Sequence, residues 1–183
     1  AVYERAVAAG VGMEIVPAVT EAGCDSVAAC CRRYPCCLPA WGLHPMYIEV
    51  HHQRHLAALR HRIDAWRPVA IGEIGLDLFV EGLDFATQNF FYTEQLKIAR
   101  DYDLPVLLHG RRANDPILKQ LRRFKVRGGI AHAFSGSRQQ ADEFIRLGFK
   151  LGFGGAFAWE RATRLRTLAV ELPLSAIVLE TDS

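Results

Sequence analysis

The sequence predicts an α/β fold made of repeated βα units around a parallel sheet. Three observations carry this. Short apolar runs alternate with longer amphipathic stretches along the whole chain. The runs are apolar throughout rather than alternating in polarity, as strands are when both faces of a sheet are covered. No linker, repeat or low-complexity stretch divides the 183 residues, so 1–183 is expected to form one domain.

The elements follow in order. Residues 1–9 have helical character and lead into a strand at 13–19. A helix at 26–34 precedes a strand at 36–42, which is closed by Leu43-His44-Pro45. The amphipathic helix at 55–66 is stopped by Pro68, which lacks the N–H a helix needs. A strand at 69–74, a long helix at 85–102 and a strand at 105–109 come next. Then follow a helix at 115–124, a strand at 129–133, a helix at 138–147 and a strand at 149–153. A helix at 160–171 and a strand at 176–181 complete the series of seven strands. Strands joined in this way lie parallel, with right-handed crossovers.

Periodicity leaves two architectures open, a doubly wound sheet and a closed (β/α)8 TIM barrel. The chain opens with a helix, which calls for a strand before it, and that strand makes eight. Barrels of this kind have about 250 residues, and about 200 at the least. At 183 residues the chain reads as strands two to eight of a barrel, truncated at both ends.

Composition narrows the function. With 50% hydrophobic and 23% charged residues, the chain has an ordinary globular balance. No apolar run approaches the roughly 18 residues of a membrane span. A net charge of +2 is no electrostatic footprint for nucleic acid, although it suits a small phosphate-bearing substrate. Cys24, Cys30, Cys31, Cys36 and Cys37 are odd in number and lack CxxC spacing. They read as free thiols of a cytoplasmic protein rather than as a zinc site. Nothing calls for a membrane or an obligate protein partner.

In a barrel, functional residues sit at the C-terminal ends of strands. Four metal-capable side chains stand there, each after an apolar run: Glu73, His109, His132 and Asp182. A single histidine after a strand is ordinarily a hydrogen-bonded structural residue, and a single Asp ordinarily caps the next helix. Four on one rim are a different matter. Their types match a hard or borderline divalent cation. A Glu can bridge two cations, neutral imidazoles can serve one, and an Asp can bind metal and take a proton from water.

Five motifs in order resemble one family. They are Gly42-Leu43-His44-Pro45, Gly72-Glu73-Ile74-Gly75-Leu76-Asp77, Leu107-Leu108-His109 with Arg111-Arg112, His132-Ala133-Phe134-Ser135-Gly136-Ser137, and Leu179-Glu180-Thr181-Asp182-Ser183. Together they resemble the TatD-type deoxyribonucleases, over essentially the whole chain. The resemblance implies a (β/α)8 barrel of the metal-dependent hydrolase type holding two divalent cations (Mg2+, Mn2+ or Zn2+). Glu73 would bridge them, His109 and His132 would bind the second, and Asp182 would hold the first and orient the nucleophilic water. The family's His-x-His on its first strand and its last helix are not in the sequence. The expected reaction is metal-dependent cleavage of a phosphodiester, with DNA as the expected partner. Hydrolysis of a small ester or cyclic amide on the same site, and an inactive or purely binding protein, are the alternatives.

Other residues take secondary readings. His44, Arg111 and Arg112 are candidate substrate contacts, against a turn-ordering histidine and a solvated arginine pair. Asp77 orders the rim loop or supports a ligand from behind. Lys119, Arg122, Arg123, Lys125 and Arg127 favour a helix C-terminus on the opposite face. His51, His52, His55 and His61 read as a solvated loop and helix face, because no Glu follows the first histidine as in a zinc-protease motif. The glycines of Gly152-Phe153-Gly154-Gly155 allow close backbone approach rather than dinucleotide binding.

Overall fold

The computed structural model describes residues 2–181, and of Phe157 and Ala158 the backbone alone. Seven strands form one sheet: β1 (Glu14–Pro17), β2 (Cys37–Trp41), β3 (Ala70–Asp77), β4 (Val106–Arg111), β5 (Gly129–Ala131), β6 (Phe149–Phe153) and β7 (Ile177–Leu179). They lie in the sheet in the order in which they occur in the chain, each parallel to the next. A doubly wound sheet reverses its strand order at a switch point. This one never reverses, so it winds in a single direction as a barrel wall does.

The helices are α1 (Val2–Ala8), α2 (Gly23–Arg33), α3 (Gln53–Ala65), α4 (Phe85–Asp101), α5 (Asn114–Phe124), α6 (Arg138–Arg146) and α7 (Thr163–Glu171). The core lies between sheet and helices: Trp41, Ile71, Ile74, Leu76, Val106, Leu108 and Leu151 meet Leu59, Ile63, Leu96, Ile117, Leu121 and Phe144. Each such side chain contributes about 1.5–3 kcal/mol relative to exposure. The outer strands are less covered: Ile15 of β1 is 36% exposed and Leu179 of β7 is 89% exposed.

All seven sequence-predicted strands are present, and their bounds shift for local reasons. β3 and β4 run past their apolar stretches because they pair with each other there, Gly75 opposite His109 and Asp77 opposite Arg111. β5 stops at Ala131, short of 133, because Ala133 takes φ 44° and cannot continue an extended strand. The last helix starts at Thr163 rather than 160. α3 starts at Gln53, two residues early, where His52 and His55 cap each other's backbone. A 3₁₀ helix at Pro45–Val50 was not foreseen; Pro45 supplies its preset φ.

One reading is corrected. His51 is not on a solvated loop: it is 6% exposed, donates from Nε2 to the His44 carbonyl at 3.0 Å and meets the Phe91 ring edge-on at 5.4 Å. The 3₁₀ helix turns it inward. His52 and His61 are exposed as expected, and His55 is half-buried.

Candidate metal centre

The strand register sets the level of the site. Ile74 lies opposite Leu108, Leu108 opposite Ala131 and Ala131 opposite Leu151. Glu73, His109 and His132 each lie one residue from that row, at the C-terminal rim. Between Ile71 and Ile74 the pairing of β3 with β4 slips by one residue. Such a bulge re-aims the side chain it carries, and here that residue is Glu73. Gly75 takes φ 149° where any Cβ would overlap the His109 carbonyl, so the motif requires glycine there.

Glu73 Oε1 is 3.2 Å from His109 Nδ1 and 3.6 Å from His44 Nε2. The His44 and His109 rings are 4.3 Å apart. One ligand atom from each of His44, Glu73 and His109 lies within 4.8 Å of the others, a spacing that suits a single cation. His132 joins them around a cavity of about 780 Å³, also lined by Tyr47, Phe79, Arg111 and Arg112. Burial pushes the Glu73 carboxyl up, but the His109 and His44 rings set against it and the nearby His132 outweigh it and hold the group well below the usual carboxylate range.

The partners of each ring sort the histidines. His109 Nε2 is 2.8 Å from Oδ2 of Asp77, whose side chain is fully buried. A neutral imidazole carries one proton, and the shorter, more buried contact takes it. Nδ1, 3.2 Å from Glu73 Oε1, is then the nitrogen whose electron pair a cation held between the two groups would take. His132 Nδ1 donates to Glu180 Oε2 at 2.8 Å, which leaves Nε2 as an electron-pair donor. Both rings therefore have the carboxylate support from behind that metal-binding histidines use. His44 is the reverse case. Its Nδ1 accepts from the Met46 N–H at 3.2 Å, so its proton sits on Nε2, facing Glu73. His44 can donate a hydrogen bond into the cavity; it is poorly suited to ligate, despite its spacing. The His109, His132 and Glu73 donors fit a divalent cation of the borderline class.

Both readings of Asp77 hold at once. Oδ1 accepts from the N–H groups of Phe79 and Val80 at 2.8 and 2.9 Å, ordering the loop, while Oδ2 serves His109. Arg111 and Arg112 are both exposed, and their guanidinium carbons lie 4.1 and 4.7 Å from the Phe79 ring centroid, at the cavity rim. The basic run beyond them lies outside the cavity lining; Arg122 pairs with Glu143 at 3.0 Å and Arg127 with Asp103 at 3.6 Å. Gly152 and Gly154 do permit close approach. A Cβ on Gly152 would overlap the Glu180 carboxylate, and Gly154 faces the Glu180 carbonyl. Asp182 lies outside the described residues.

Sequence reasoning did not single out Glu180, Phe79, Gln88 or Gln95. Glu180 stands beside Asp182 in the last motif, and only the His132 contact reveals its part. The two glutamines had a visible signal, polar residues on the apolar face of a long helix.

Residues 1–183 match the TatD related DNase family model throughout. The chain belongs to that family. It is 44% identical over 184 residues to an uncharacterised metal-dependent hydrolase, YjjV, of Escherichia coli K12, covering 98% of this chain and 71% of that protein. The 3'-5' ssDNA/RNA exonuclease TatD of Cronobacter sakazakii is 35% identical over 182 residues, covering 98% of this chain and 69% of that protein. The crystal structure of the TatD homologue YjjV superposes with a TM-score of 0.94 at 43% identity, covering 98% of this chain and 71% of that one. The fold is thus the expected TIM-barrel type, and the chain is a metal-dependent hydrolase of the TatD kind.

Proposed function

We propose that the protein cleaves phosphodiester bonds of DNA by divalent-cation-assisted attack of water. The observation that carries the reading is the carboxylate behind each of His109 and His132, which leaves one electron-pair-donating nitrogen per ring at a cavity that also holds Glu73. Glu73, His109, His132 and Asp182 would hold the metal, two cations in all, with Mg2+, Mn2+ and Zn2+ as the candidates. When bound, a cation there supplies Lewis-acid polarisation of a phosphoryl oxygen and activates water. Glu73, ionised, gives the site its fixed negative charge, and Asp182 takes the proton that the attacking water loses. His44 donates from Nε2 to a phosphoryl oxygen. Arg111 and Arg112 pair with a neighbouring phosphate, for which the planar guanidinium is well shaped. The name of the Cronobacter relative supports a nucleic-acid substrate. Five free cysteines support a cytoplasmic location.

The test is hydrolysis of a labelled oligonucleotide under Mg2+, Mn2+ and Zn2+, beside a panel of small esters and cyclic amides. Glu73→Ala and Asp182→Ala should abolish metal-dependent turnover, and near-normal rates in either would refute the roles. His109→Ala and His132→Ala should weaken Mn2+ binding by about 10-fold or more. His44→Ala should bind Mn2+ like the parent and turn over slowly; Mn2+ loss equal to that of His109→Ala would refute its assignment as donor. Turnover confined to the amides or esters would move the substrate class.

A further inference from the structure

α4 reaches two strand ends through buried glutamines. Gln88 and Gln95 are separated by two helical turns and so share one face; they are 1% and 0% exposed. Gln95 Oε1 accepts from the Leu43 N–H at 2.7 Å, while its Nε2 donates to the Leu43 carbonyl at 3.1 Å and the Phe91 carbonyl at 3.1 Å. Gln88 repeats the arrangement on Asp77: Oε1 accepts from the Asp77 N–H at 2.7 Å, and Nε2 donates to the carbonyls of Asp77 at 3.0 Å and Leu83 at 3.3 Å. Each amide clasps both polar backbone groups of one residue, as a neighbouring strand would. Both Nε2 protons are used, so a flipped amide would set N–H against N–H.

Leucine or methionine would fill this space but would leave the N–H and C=O groups of Leu43 and Asp77 without these partners. What the amides provide is position. Leu43 immediately precedes His44, and the Asp77 carboxylate holds His109. We infer that Gln88 and Gln95 are positioning residues with divided duties: Gln88 sets the metal-binding half of the site through Asp77 and His109, and Gln95 sets the substrate half through Leu43 and His44. The division rests on the proposed reading of His109 as ligand and His44 as donor.

The experiment compares Gln88→Met, Gln95→Met and a control, Phe144→Leu, whose side chain lies in the core against Phe134 and Phe149. Mn2+ affinity is measured by calorimetry, the His44 and His109 ring N–H signals by NMR without metal, thermal stability by melting, and oligonucleotide turnover at saturating Mn2+. Gln88→Met should weaken Mn2+ by about tenfold or more and move the His109 signal. Gln95→Met should leave Mn2+ affinity within about twofold, move the His44 signal and lower kcat/KM by about tenfold. The control should lose stability with Mn2+ affinity unchanged. Should a methionine variant fail to fold, Gln→Glu replaces it, keeping the acceptor and setting an anion against the carbonyl, with the same expected directions. The inference is overturned if Mn2+ affinity merely follows stability in all three proteins, or if the ring signals do not separate the two glutamines. A parent protein that binds Mn2+ without cutting the oligonucleotide would instead sink the proposed substrate, leaving affinity and NMR to decide the glutamines.

Discussion

At Glu73 a buried carboxylate stays charged because two imidazoles outweigh its desolvation, and that balance is what makes the cavity receptive to cations. His51 shows the opposite balance. Burial pushes its pKa below the usual histidine value, only partly offset by its hydrogen bond to the His44 carbonyl, and Nδ1 has no hydrogen-bonding partner among the described residues. The unfolded chain therefore takes up a proton near the ordinary histidine pKa of about 6.5, whereas the folded one resists. Stability from this residue is full above that pH and is lost as the pH falls through the folded value. Chemical denaturation between pH 7 and 5 should show a flatter pH slope in His51→Gln than in the parent; equal slopes would refute the contribution. Glu73, His109 and His132 were legible because each ends an apolar run. Glu180, Phe79 and the orientation of His51 were not, because their partners lie on other strands and loops and no local spacing announces them.

Among the elements, β3 and β4 carry a tight constraint at the site. Gly75 lets their backbones meet where the site begins. Gly75→Ala should cost about 2–4 kcal/mol, combining backbone strain with a displaced strand, and should lower the melting temperature well beyond a surface change such as Lys119→Ala. A melting temperature like the parent's would show that the strands separate freely there. Element existence was readable because buried parallel strands are continuously apolar. Element bounds were less so: the ends of β3 and β4 are decided by pairing with each other, and the end of β5 by the left-handed turn at Ala133. The 3₁₀ helix after His44 was hidden because its only local mark is Pro45, a residue equally at home in a loop.

For the molecule as a whole, strand order settles what periodicity left open, since a sheet without reversal is a barrel wall. β1 and β7 stand at its two ends, and Leu179 is largely exposed. Unpaired edges of that kind invite pairing with other chains. A polypeptide of these 183 residues expressed by itself should self-associate; a monodisperse monomer in light scattering that melts cooperatively would contradict this. The same strand order has a consequence for biosynthesis. Because neighbours in the sheet are successive in the chain, the ribosome delivers His44, Glu73, His109 and His132 before β7 and the Glu180 that follows it. His132 thus takes its carboxylate support from a residue that lies 48 positions later in the chain.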